Sequence, residues 1–443
     1  TPFFPSSEVY LLHGETHCKS EVKMTGRVII VTGANSGIGF ELSRYLCEGG
    51  NDVILACRNE DKANAAIAKI KAQNPNALAT FMQLDLASYE SIRKFVDDFH
   101  ATEKKLHVLV NNAGLACNFK DTRRQYTKDN LELTMGTNHL GHFLLTNLLL
   151  EDLKKTGADG ADARIVVVTS SVHDPETMKR RGPLQPLDLE DLLLAKEGAY
   201  TGLQAYKNSK AANLMFTYEL AKRLDGTGVT VNAVCPGFIP STELVRQAPA
   251  AQKVFLRYIL HGMLRFMKTT RTVQQGAQAV ADLVTNEKFK EITGKYYKDS
   301  NETESSAETK DEEKQKKLWE MSGGYVRLEG YEPIEIPVPP PEEEKPAKGK
   351  KKEEKKDGET SKEGEKAEGE EAAKEGEKTE EKEGDKKEEE KKEEEVIIKT
   401  EQPPEPEKPA KEEENPVEEN KPKEVKEEAK DEKPVENAEE KKE

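Results

Sequence analysis

Val28-Ile29-Ile30-Val31-Thr32-Gly33-Ala34-Asn35-Ser36-Gly37-Ile38-Gly39 decides how the rest of this chain is read. An apolar, β-branched run leads into a turn bearing Gly33, Gly37 and Gly39. Phe40 to Cys47 follows with Leu42, Tyr45 and Leu46 on one helical face. The run reads as a buried parallel strand, and the whole as strand, glycine turn, helix. In that context glycines let backbone approach a pyrophosphate, and a helix N-terminus offers free N–H groups to an anion. The spacing is GxxxGxG, not the more common GxGxxG. Alone, it is equally an ordinary strand-to-helix turn, so the rest of the chain has to decide.

Outward from this unit the pattern repeats. Asp52 to Arg58 is a second apolar strand, and Glu60 to Ala72 a helix stopped by Asn74-Pro75. Thr80 to Leu84 is a third strand ending at Asp85-Leu86, and Ser88 caps a helix through His100. Leu106 to Val110 is a fourth, ending at Asn111-Asn112-Ala113-Gly114, followed by one long amphipathic helix from about Leu131 to Leu153. Arg164 to Thr169 is a fifth, ending at Ser170-Ser171. A helix from about Ala205 to Leu224 leads to a sixth, Val229 to Val234, closed by Pro236-Gly237. Alternating strands and helices predict an α/β fold: a Rossmann-type, doubly wound parallel sheet in three αβα layers, with ligands at the carboxyl ends of the strands. Thr32, Arg58, Asp85, Asn111, Ser171 and Pro236 all fall at those ends.

The composition is split. Of 443 residues, 34% are charged and the net charge is −16, but from about Pro339 the chain is almost entirely Glu, Lys, Pro, Gly and Ala. Residues 339–443 cannot bury enough apolar surface to offset chain entropy and read as a disordered tail. Val396-Ile397-Ile398 is its one apolar spot, either a docking motif or nothing more than part of a solubilising spacer. Residues 1–23 form an N-terminal extension without an apolar run of signal-peptide length, and Met24 is an alternative start. Residues 24–300 are the expected domain and 301–338 a C-terminal helix and linker. Cys18, Cys47, Cys57, Cys117 and Cys235 are scattered, with no CxxC spacing. The expectation is therefore no metal, no disulfide framework and a reducing, intracellular compartment. Mixed charge argues against a nucleic-acid partner, which wants a clustered basic patch, and no apolar run is long enough to span a membrane.

Two places carry chemistry. The second strand ends Ala56-Cys57-Arg58, with no carboxylate until Glu60. An acid there would accept hydrogen bonds from a ribose and repel a 2′-phosphate, whereas Arg58 can pair with one, so NADP(H) is the expected cofactor. Tyr206 and Lys210 stand at i and i+4 and share a helix face. A nearby ammonium lowers a phenol's pKa and suits it to proton transfer at a carbonyl or hydroxyl oxygen.

Together, Thr32-Gly-Ala-Asn-Ser-Gly-Ile-Gly39, Asn111-Asn-Ala-Gly114, Asn138 in Thr-Asn-His-Leu-Gly, Ser171, Tyr206-x-x-x-Lys210 and Pro236-Gly237 resemble the short-chain dehydrogenase/reductase family, in family order from about Gly26 to Asp299. The resemblance implies that Tyr206 is the acid/base, that Lys210 lowers its pKa and holds the nicotinamide ribose, and that Ser171 bonds the reacting oxygen, with Ser170 the weaker candidate. It implies that Asn138 supports a relay water. The cofactor would meet Gly33, Asn35, Ser36, Gly37, Ile38, Gly39, Arg58, Asp85, Leu86, Asn112, Ala113, Gly114, Pro236 and Gly237 as well as Tyr206 and Lys210. Leu55-Ala-Cys-Arg58, Leu220-Ala-Lys-Arg-Leu-Asp-Gly-Thr-Gly-Val229, Gly294-Lys-Tyr-Tyr297 and Lys317-Leu-Trp319 resemble the retinol dehydrogenase branch, implying a small lipophilic alcohol or aldehyde as substrate. Thr137 to Leu145, Ala205 to Lys210 and Pro236 to Leu244 also resemble light-dependent protochlorophyllide reductases, which usually carry a cysteine where Ala211 and Ala212 stand. A non-catalytic nucleotide-binding scaffold is the alternative of another kind, opposed by the intact Asn138, Ser171, Tyr206 and Lys210. The interval from Ser171 to Tyr206 is longer than the family's shortest and reads as a loop with a short helix; His173 within it is not needed as a base. Val254 to Lys268 is apolar with interspersed Arg257, Arg265 and Lys268. It can close over a greasy substrate, lie peripherally on a membrane or simply cover the core. A homodimer completes the expectations.

Overall fold

The computed structural model describes residues 25–177, 184–239, 270–298 and 300–336. The expectations for residues 1–23, for Val254–Lys268 and for the tail from 339 lie outside the described residues. Eight strands, β1 (Val28–Thr32), β2 (Asp52–Cys57), β3 (Ala79–Gln83), β4 (Leu106–Asn111), β5 (Ala163–Val168), β6 (Val229–Cys235), β7 (Tyr296–Lys298) and β8 (Asn301–Glu302), form one sheet in the order β3-β2-β1-β4-β5-β6-β7-β8. Every pair is parallel except β7 with β8. The order reverses between β1 and β4, which opens the crevice where ligands of doubly wound folds bind.

The apolar runs do not alternate with polar residues because both faces of the sheet are covered. Ile30, Ile54, Leu109 and Ile165 share a row and pack into one core layer. Their neighbours Ile29, Val53, Val108 and Val166 enter the other. The second layer is closed by helices α1 (Gly37–Glu48) and α2 (Glu60–Gln73), through Leu42, Leu46 and Ile70. The first is closed by Phe95 and Phe99 of α3 (Tyr89–His100), which Ser88 caps by accepting from the Ser91 N–H.

The single long helix expected over Leu131–Leu153 is broken. It runs as α4 (Leu133–Met135), a π turn (Gly136–Leu140), α5 (Gly141–Leu148) and α6 (Leu150–Ala158). At its start the Glu132 carboxylate accepts the N–H groups of Thr134 (2.9 Å) and Met135 (2.7 Å). Further on, the helix passes so close to the loop after β3 that a Cβ at Gly141 would run into the Leu86 carbonyl oxygen, and the Gly141 N–H reaches back to Gly136 in the widened turn. Such widened turns gather at functional sites.

Helix α7 (Gly202–Arg223) starts a turn earlier than expected, with the Thr201 hydroxyl accepting from the Gln204 N–H. After β6 come α8 (Val273–Thr285), headed by a Thr272–Gln275 capping box, and α9 (Glu312–Tyr325). The sheet and the core continue past residue 300, and α9 lies within the stretch 301–338 where a C-terminal helix and linker were expected. Leu318, Trp319 and Val326 join the first layer, and the Trp319 ring stacks on Phe216 at 5.7 Å. Two strands, β7 and β8, escaped the reading of the sequence because each is too short to show a period. No helix among the described residues is long and apolar enough to cross a membrane.

Candidate active site

The turn after β1 has Gly33 and Gly37 at φ +67° and +57°, a left-handed region that glycine enters without strain. Helix α1 then begins with Ser36 as N-cap but without a side-chain cap, and no acid occupies its first turn. Its N-terminal N–H groups therefore face the crevice end unneutralised, as an anion site requires. Asn35, Ser36, Gly37 and Ile38 are half-buried around the turn, and Gly39 is buried under it. The Thr32 hydroxyl accepts the N–H groups of Asn112 and Ala113, both at 2.9 Å, and Asn112 Nδ2 donates to the Thr32 carbonyl at 2.7 Å. The two loops expected to flank a cofactor are thereby joined. At Gly114 a Cβ would lie 3.6 Å from both Asn138 Oδ1 and Lys210 Nζ, so the missing side chain leaves a cradle between the loop and that ammonium.

Arg58 is exposed just beyond β2. Asp85 follows β3, its carboxylate accepting from the Ala87 N–H (3.2 Å) with Lys128 at 3.7 Å, beside buried Leu86. Pro236 and Gly237 follow β6, Gly237 at φ +86°. Apart from Tyr206 and Lys210, which lie on a helix, the predicted cofactor positions thus follow the carboxyl ends of β1, β2, β3, β4 and β6.

Tyr206 and Lys210 sit on the buried first half of α7. Lys210 Nζ lies 5.7 Å from the centre of the Tyr206 ring and donates to the Val168 carbonyl at 3.1 Å. Burial pushes Lys210 down to about 8, with the Cys235 thiol opposing. The sequence spacing predicts a tyrosine pKa lowered by this ammonium. The structure reverses that expectation: burial raises the phenol and Cys235 adds to the rise, while only a hydrogen bond with Ser170 pulls it back. The reason is geometric, since the ammonium lies over the ring and is bonded to a main-chain carbonyl.

The family pattern points to Ser171; Ser170, the weaker candidate, is the hydroxyl that eases the Tyr206 phenol. Ser171 is half-buried beside it, its N–H donating to Cys235 Sγ at 3.3 Å. Asn138 is fully buried in the π turn. Its Oδ1 accepts from the Leu115 N–H (2.8 Å), and its Nδ2 donates to the Leu115 carbonyl (2.9 Å) and to Ser209 Oγ (3.1 Å). His173 has both ring nitrogens engaged by main chain, Nδ1 to the Ser170 carbonyl at 2.8 Å and Nε2 from the Ser306 N–H at 3.3 Å. It is a strut rather than a base. Phe119, 6.1 Å from the Tyr206 ring centre to centre, and Cys235 also belong to the site and were missed. Cys235 stands directly before Pro236-Gly237, which was the available signal.

The family model described as short chain dehydrogenase matches residues 27–178 and 194–253. Human retinol dehydrogenase 12 is 39% identical over 306 residues, covering 69% of this chain and 88% of that protein. The chain belongs to the short-chain dehydrogenase/reductase family. Within it the chain falls in the retinol dehydrogenase branch. Human retinol dehydrogenase 11 is 39% identical over 312 residues, covering 70% of this chain and 89% of that protein. Polyprenol dehydrogenase of Danio rerio is 38% identical over 311 residues, covering 69% and 88%. A second model, the AcuH dehydrogenase domain, matches residues 244–329. Membership of the family makes the protein an oxidoreductase that works with a nicotinamide dinucleotide. The short chain dehydrogenase match is interrupted within the long Ser171–Tyr206 interval. Where that interval is described, Leu187, Leu189, Leu192 and Leu193 are buried, and the Gln204 amide pairs with both main-chain groups of Gln185 at 2.9 Å. The extra length is thus anchored to α7.

Proposed function

We propose that this chain is an NADP(H)-dependent dehydrogenase/reductase that interconverts the alcohol and carbonyl forms of a lipophilic, retinoid-like substrate. The observation that carries the reading is the convergence of Tyr206, its seryl partner and Lys210 beside the cradle at Gly114. The preference for NADP(H) rests on Arg58, exposed beyond β2 with no carboxylate before Glu60. The lipophilic substrate rests on the relatives, named for retinol and polyprenol, and on the Phe119 ring beside Tyr206.

The turn at Gly33–Gly39 and the uncapped start of α1 would hold the pyrophosphate, and Arg58 would meet the 2′-phosphate. When bound, the nicotinamide would supply or take the hydride. In reduction the Tyr206 hydroxyl gives its proton to the substrate oxygen, and in oxidation it takes one back. A seryl hydroxyl from the Ser170-Ser171 pair orients that oxygen. Lys210, whose ammonium stands beside the cradle at Gly114, would hold the nicotinamide ribose. Asn138, clasped to Leu115 and Ser209, would support a water in the proton relay.

The test follows NADPH consumption with retinal, aliphatic and steroid carbonyls, with NADH in parallel. Turnover with NADPH is expected on the lipophilic members. Tyr206→Phe should lower kcat by on the order of 10²-fold or more while NADPH binding persists. Turnover with NADH alone overturns the assignment to NADP(H), and full activity in Tyr206→Phe overturns the chemistry.

A further inference from the structure

His142 is a buried, titratable side chain inside this site that the chemistry above leaves unused. It lies on α5, one turn past Asn138, and is 3% exposed. Its Nδ1 is 3.0 Å from the Asn138 carbonyl oxygen and its Nε2 2.9 Å from the Thr32 hydroxyl. A carbonyl can only accept, so Nδ1 carries the proton; Nε2 is then the acceptor and Thr32 the donor. Burial pushes the ring's pKa down to about 4 and so keeps this neutral tautomer through the neutral range. The Thr32 oxygen meanwhile accepts from Asn112 and Ala113, so its hydroxyl is the hub of the two cofactor loops. Without the ring, the Thr32 proton would turn to its other acceptor, the Val110 carbonyl at 3.2 Å, and the Asn138 carbonyl would lose a donor.

We propose that His142 is a positioning residue that ties the cofactor loops, through Thr32, to the main-chain carbonyl of Asn138, so that the dinucleotide cradle and the π turn that carries Asn138 are held in register by one rigid ring. Two separate bonds do the work, and each can be kept alone. An asparagine places its amide near the position of Nδ1 and keeps the arm to Asn138. A glutamine places its amide near Nε2 and keeps the arm to Thr32. A phenylalanine keeps only the shape.

The experiment uses the full chain and compares His142→Asn, His142→Gln and His142→Phe by NADPH calorimetry, steady-state kinetics and melting temperature. Misplacing reacting groups by about 1 Å costs on the order of 10²-fold. His142→Phe is therefore expected to weaken NADPH binding by about tenfold and to lower kcat by on the order of 10- to 100-fold. His142→Asn should recover kcat but not NADPH affinity, and His142→Gln affinity but not kcat. Wild-type affinity and kcat in His142→Phe overturn the proposal. So do equal losses in all three variants, since a merely packed ring would give that. Should His142→Phe not fold, the crossover between the asparagine and glutamine variants decides alone. The kinetic half rests on the proposed function. A wild type that turns over no carbonyl defeats that function, while calorimetry still tests the Thr32 arm. In that case tighter NADPH binding by the glutamine than by the asparagine variant supports the arm, and equal binding overturns it.

Discussion

At Tyr206 the balance of forces is set by burial. The phenol is raised by its surroundings and eased by one hydroxyl, that of Ser170. The two adjacent serines should therefore separate by measurement. Removing Ser170 takes away the one contact that lowers the tyrosine, so in the oxidation direction, which needs the phenolate, the pH–rate profile of Ser170→Ala should move to higher pH. Ser171→Ala, which removes no such contact, should lower kcat with its pH limb in place; identical pH limbs in both variants would show that neither serine tunes the tyrosine. Cofactor choice turns on Arg58. Hydrogen bonds to charged groups contribute about 1.5–3 kcal/mol, so Arg58→Asp should raise KM for NADPH on the order of 10- to 100-fold and favour NADH. An unchanged NADPH/NADH ratio of kcat/KM in that variant would remove Arg58 from the phosphate.

Among the elements, the broken helix from Leu133 to Leu148 deserves its own experiment, because its start depends on a buried acid. Glu132 is 1% exposed, and burial pushes its carboxyl up to about 7 against the hydrogen bonds of Met135 and Thr134. In the unfolded chain the group has its ordinary value of 4.5. Between those two values the folded protein retains a proton that the unfolded chain has released. Stability from this group therefore falls as pH rises through that window, by on the order of 3 kcal/mol in total. Glu132→Gln cannot ionise, so its melting temperature should gain on the wild type's between pH 5 and pH 8. Parallel curves would mean that Glu132 is ionised throughout. The π turn carries Asn138, so a loosened start should reach the site as well.

For the molecule as a whole, the C-terminal stretch to residue 336 is part of the catalytic domain. Trp319 packs against Phe143 and Phe216, and Ser322 Oγ is 2.9 Å from Nε2 of buried His139, the neighbour of Asn138. Lys207, next to Tyr206 and fully buried, pairs with Glu308 at 2.8 Å, and Glu308 also takes Lys314 at 2.7 Å. Breaking a buried pair from one side typically costs about 3–5 kcal/mol, before any loss of the aromatic packing. The chain divides into two units after Lys345. A chain ended there should keep the melting temperature and kcat of the full protein, whereas one ended at Ser300 should not fold. A stable, active chain ended at Ser300 would show that α9 is dispensable.

Much of this was legible before any coordinates. The β-branched runs, the glycine turn, the Ser88 cap and the polar residues at strand ends are local signals, because periodicity, capping and turn geometry act over a few residues. They define the doubly wound sheet and place Tyr206 and Lys210 on one helix face. What they could not supply depends on residues far apart in the chain meeting at bonding distance. That Ser170 rather than Lys210 eases the tyrosine depends on how β5 delivers its end to α7. Gly141 meets the Leu86 carbonyl at a distance that leaves no room for a Cβ, and Trp319 of α9 finds Phe143 and Phe216. Above all, a histidine reads alike in sequence whether it is core, base or strut. Only the packing that brings Thr32 to one nitrogen of His142 and the Asn138 carbonyl to the other fixes its tautomer, and with it the task that ring can perform.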